Sequence, residues 1–126
     1  MTSSTSNFVA AGQTAPETAV GSSWAKLALA HIAVAVTAFG IAAFLAVMQA
    51  MARAGTNLPF GGPGIYYMSV TAHGVLMALV FTTFFIMGLG YVFARTSLNR
   101  PLVGEKVAWV SFWVAVAGTL MAAVVI

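Results

Sequence analysis

The sequence predicts an all-α membrane protein with three transmembrane helices. Three observations carry that prediction. Hydrophobic residues make up 61% of the 126, and charged residues only 6%, against about 25% in a soluble domain. No charge falls between Lys26 and Arg53, and none between Arg53 and Arg95. Each of these stretches is long enough for a helix rising about 1.5 Å per residue to cross a hydrocarbon core of about 30 Å. A chain this apolar cannot cover a water-facing surface, so a lipid bilayer is its expected surrounding.

Residues 1–23 are rich in Ser, Thr, Ala and Gly, with one acid, Glu17, and no base. They lack the positive n-region of a signal peptide and read as a disordered tail. The region 24–126 reads as the transmembrane part. Its first helix is expected over about 24–52, with Trp24 and Lys26 at one interface and Arg53 at the other. Ala38, Gly40, Ala42 and Ala43 are small enough to let another helix approach closely. Residues 55–64 hold four glycines and two prolines, which predict a loop. Tyr66 and Tyr67 mark the interface where the second helix, expected over about 65–94, begins. A polar connection from Arg95 to Lys106, broken by Pro101 and Gly104, leads to a third helix expected over 105–126. That helix ends on Val124-Val-Ile126 with no polar flank, which predicts a piece of a longer chain.

The net charge of +3 rests on five scattered basic residues. They act as topology signals, and no nucleic acid partner is expected. Lys26, Arg95, Arg100 and Lys106 fall on one side and Arg53 on the other. The positive-inside rule therefore puts the N-terminus in the cytoplasm. There is no cysteine, which excludes disulfides, thiolate metal sites, iron–sulfur clusters and covalent c-type haem.

His73 is the residue that points to chemistry. It lies about 10 Å into the second span from the outer end, inside hydrocarbon, where an ionisable side chain is costly and marks a functional site by default. Imidazole is a ligand for iron and copper. At helical spacing it shares a face with Ser69, Val70, Leu76 and Met77, and further along with Val80, Phe81 and Phe84. Gly74 removes bulk beside it, so a flat macrocycle or another helix can approach. The plainer alternative is a neutral histidine bonded to a serine, a carbonyl or a water across a helix interface. His31, five residues after Lys26, is expected at the inner interface, reaching water or headgroups. The axial distance between the two histidines, of order 15 Å in a roughly 30 Å core, forbids both from binding one iron in a single copy. The two acids, Glu17 and Glu105, form no pair for acid–base work. Gln49 is expected to hydrogen-bond locally or at an interface.

The run Tyr67-Met-Ser-Val-Thr-Ala-His-Gly-Val-Leu-Met77 resembles the second transmembrane helix of haem-copper oxidase subunit I. There a Thr-x-His-Gly segment, here Thr71-Ala-His-Gly74, carries one axial histidine of the low-spin haem. Val80-Phe-Thr82, Ala94-Arg-Thr-Ser-Leu-Asn-Arg-Pro101 and Trp109-Val-Ser-Phe-Trp113 are most similar to the B-type enzymes. The resemblance covers roughly residues 24–126. It implies the first three helices of a bundle of about twelve, with His73 as the low-spin haem ligand (b or a type). It also implies a cytochrome c oxidase-type oxidoreductase that reduces O₂ to water with proton translocation. The second low-spin ligand, the high-spin haem, the copper ligands and the proton channel belong to helices absent from this chain, so no catalytic residue is carried over and the chain alone is expected to be inactive. The implied partners are the remainder of subunit I, subunit II, and cytochrome c or a similar electron donor, in a bacterial or archaeal cytoplasmic membrane. A nitric oxide reductase relative, and a small three-helix haem-binding or accessory subunit without catalysis, are the alternatives.

Overall fold

In a computed structural model of the chain, residues 22–56, 62–98 and 103–126 are described. The loosely ordered tail expected over 1–23 lies outside them up to residue 21, as do parts of both connections. The described residues are all-helical: α1 (Ser23–Arg53), α2 (Pro63–Val75), a π-helical segment (Leu76–Phe81), α3 (Thr82–Leu98) and α4 (Glu105–Val125). The segments from Pro63 to Leu98 form one continuous rod of 36 residues. The result is three helices of 31, 36 and 21 residues, each long and apolar enough to cross a membrane.

Local chemistry sets the ends. At the end of α1, Gly55 adopts φ +76°. Its N–H donates to Ala52 O and that of Thr56 donates to Met51 O, both at 3.2 Å. This is the paired closure that ends a helix when a glycine can turn left-handed. The second rod starts on Pro63, inside the stretch whose glycines and prolines predict a loop. Proline fits the first helical position because its missing N–H has no partner there in any helix. α4 starts after Gly104 at φ +80°, with Glu105 in its first turn, where a negative charge suits the helix dipole.

α1 is the hub against which the other elements pack. Its buried residues, Leu27, Ala28, His31, Ala35, Ala38 and Ala42, recur every three or four positions and form one stripe. Small side chains make close packing possible where no hydrophobic force draws helices together. At Gly88 α3 lies close against α1. A side-chain carbon there would lie 2.8 Å from Ile32 Cδ1 and 3.2 Å from the Ala28 carbonyl oxygen. Phe84 and Phe112 close the seam between α3 and α4 against Leu27 and Ala35. Most remaining large apolar side chains, such as Leu29, Phe44, Ile86 and Trp113, point outward.

Candidate functional site

His73 stands on α2, three residues before the start of the π-helical segment. Of the face predicted for it, Ser69, Val80 and Phe84 are buried and Val70 is exposed; the buried line runs on to Gly88, which lies outside the predicted face. Val80 and Phe84 are packed into the core formed with α1 and α4, so that part of the face is closed by protein. Within the π segment each bond spans five residues instead of four, a rare arrangement frequent at functional sites. Thr82 finishes it by donating its hydroxyl to Met77 O at 2.9 Å.

The imidazole of His73 is half-buried. Its Nδ1 lies 2.8 Å from the backbone oxygen of Ala42 on α1. A carbonyl only accepts, so Nδ1 carries the hydrogen and donates it. The neutral ring then has its lone pair on Nε2, the nitrogen left to act as a ligand. Among the described residues no hydrogen bond reaches that nitrogen. At the next residue, a side chain on Gly74 would meet nothing within 4 Å. One edge of the ring is thus anchored to α1 while the neighbouring surface is open.

Polar contacts continue along this seam toward the Arg53 end. Gln49 Nε2 donates to Ser69 O across the helices at 3.1 Å. Ser69 Oγ donates to Tyr66 O at 2.6 Å, and Arg53 Nε donates to the Tyr66 hydroxyl at 2.9 Å. Gln49 therefore ties α1 to α2, and Tyr67 is exposed as an interfacial anchor would be.

His31 corrects the expectation drawn from its position. It does not reach water or headgroups: it is 4% exposed, with Nδ1 donating to Leu27 O at 2.9 Å. Its ring is enclosed by Phe84, Tyr91 and Phe112 at centroid distances of 5.7, 5.3 and 4.8 Å. Proximity to Lys26 gives its depth along the helix but not its rotation, and α1 turns this position inward. It joins α1, α3 and α4 as a packing residue. Eleven residues separate His31 from Ala42, about 16 Å along α1. The structure brings neither histidine to the other. Among the described residues no group of three or more His, Cys, Asp or Glu side chains is placed to hold a metal.

What sequence reasoning missed is the anchor for His73. Ala42 acts through its backbone oxygen, which has no side-chain signature; the only hint is its place in a run of small residues.

Comparison with known proteins gives the lineage. Residues 26–126 match the family described as cytochrome c and quinol oxidase polypeptide I. Cytochrome c oxidase subunit 1 of Thermus thermophilus is 41% identical over 59 residues, covering 46% of this chain and 10% of that protein. The match thus spans about a tenth of the relative's length. No solved structure matches the chain. With the family match running over nearly all of its membrane-spanning region, the chain belongs to the cytochrome c and quinol oxidase polypeptide I family.

Proposed function

We propose that this chain is part of the catalytic subunit of a respiratory terminal oxidase, in which His73 is one axial ligand of a low-spin haem. The observation that supports this most strongly is the 2.8 Å bond from Nδ1–H to Ala42 O. A metal-ligating histidine almost always gives its other N–H to a carbonyl, a carboxylate or water, which fixes the ring and raises its basicity. A packing histidine can make the same bond. The open surface beside Gly74 and the Nε2 lone pair favour the ligand role, because they leave a planar group room to lie against α2. Thr71-Ala-His-Gly74 within a family match over residues 26–126 supports it further.

When bound, the haem supplies one-electron transfer. The residues of this chain hold and orient it. His73 Nε2 would provide one bond to the iron, with the Ala42 carbonyl setting the rotation of the imidazole ring. The alanine stripe of α1 brings that carbonyl within reach. The apolar surroundings keep water away and so tune the potential. His31 would not share in holding the group, since it is about 16 Å away along α1 and enclosed by aromatic rings.

For the whole subunit the reading is reduction of O₂ to water coupled to proton translocation. Electrons arrive from cytochrome c or a similar donor through subunit II. The chain lies in a bacterial or archaeal cytoplasmic membrane with its N-terminus inside. The test is a reduced-minus-oxidised spectrum of membranes carrying His73→Ala beside His31→Ala. The reading expects the low-spin haem band to vanish in the first and persist in the second. An unchanged band in the His73 variant overturns it.

A further inference from the structure

We propose that the end of the bundle carrying Lys26 binds an anionic phospholipid, with one acyl chain in a groove between α1 and α3. The groove has a volume of about 350 Å³ and is lined by Trp24, Lys26, Leu29, Ile32 and Val92. From Trp24 to Ile32 it follows α1 for about 12 Å, most of the ~15 Å hydrocarbon depth of one leaflet. Its walls below Lys26 are apolar side chains, and Gly88 of α3 lies close against two of the lining residues, Ile32 and Ala28.

The mouth supplies the charge that names the occupant. Lys26 lines the groove and is exposed. Arg95 lies one turn beyond Val92 on α3, at the same end of the bundle. The nearest acids in sequence are Glu17, nine residues before Lys26, and Glu105, ten residues after Arg95. Trp24 is half-buried beside Lys26, suited to the headgroup level, where indole rings are enriched. A cation at the mouth, an indole at the interface and an apolar trough beneath match a phosphate, a glycerol region and an acyl chain in that order. A further protein helix would instead place apolar side chains against the Lys26 ammonium, which costs free energy unless an acid pairs with it.

The experiment uses the complete membrane protein in phosphatidylcholine vesicles doped with brominated-chain phosphatidylglycerol or brominated-chain phosphatidylcholine. The signal is the Trp24 fluorescence, obtained as the difference between the native protein and its Trp24→Phe variant. Brominated phosphatidylglycerol is expected to half-quench it at a mole fraction at least about fivefold lower than brominated phosphatidylcholine, the effect of one basic side chain near a membrane surface. Lys26→Gln should weaken the preference by about fivefold, while Lys106→Gln, at the same end but outside the groove, should leave it. Three results overturn the proposal: equal quenching by the two lipids, equal loss of preference in both lysine variants, or a Trp24 that neither lipid quenches because protein covers the groove. The second of these would mean diffuse surface charge.

Discussion

Replacing Gly88 with alanine puts a methyl group into a tight part of the seam between α1 and α3. That carbon would sit 2.8 and 2.9 Å from Ile32 Cδ1 and Cγ1, and 3.2 Å from Ala28 O. Carbon atoms rest at about 3.5–4.0 Å, so the Ile32 side chain must retreat by about 0.6–1.2 Å. Its outer end can rotate; the Ala28 carbonyl is backbone, and there the helices themselves must part by a few tenths of an ångström. Overpacking of this kind costs about 1–3 kcal/mol. The better helix propensity of alanine offsets up to about 1 kcal/mol of it. The expected outcome is a net destabilisation of about 1 kcal/mol, measured by unfolding in a fixed bilayer. A double-mutant cycle isolates the cause. With Ile32→Ala already in place the colliding atoms are gone, and Gly88→Ala should cost about 1 kcal/mol less than in the native background. An identical cost in both backgrounds, or outright stabilisation of the native protein, would refute the reasoning.

Three further outcomes follow from the packing. His31→Ala empties the space between Phe84, Tyr91 and Phe112; it should destabilise by roughly 2–4 kcal/mol in the same unfolding assay. Ala42→Leu places a branched side chain at a position that is 0% exposed, which should force α1 from α2 and lengthen the bond from His73. Under the proposed function the haem midpoint potential then rises, because the histidine loses the partner that raises its basicity, and an unchanged potential in a redox titration would count against this. Gln49→Leu removes the bond to Ser69 O and should cost only about 0.6 kcal/mol, the mean for such bonds in a bilayer, with no change in any spectrum.

Much of the architecture can be read in the sequence, because the cost of charge in hydrocarbon confines Lys26, Arg53 and Arg95 to helix ends. His73 stands out for the same reason. The rotation of each helix is harder to read. His31 sits near Lys26 in sequence and yet points into the bundle, because α1 is nearly uniformly apolar and only its partners decide which side is inside. Gly74 and Gly88 look alike in sequence, but the first faces open space and the second is pressed against Ile32 and the Ala28 carbonyl. The π segment leaves no trace either: Leu-Met-Ala-Leu-Val-Phe is as apolar as its neighbours, and its bonding depends on backbone geometry that hydropathy does not encode. The carbonyl of Ala42 is invisible for a related reason, since every residue has one and only packing selects which is used.

The proposed haem ligation turns on one nitrogen atom, His73 Nε2. A density map of the complete membrane protein with its cofactors, read at His73, tests it most directly. Low-spin haem iron is expected bonded to His73 Nε2, with Nδ1 still near the 2.8 Å it keeps from Ala42 O. A low-spin iron held by two other residues, with His73 Nε2 turned against a neighbouring protein group, would contradict it.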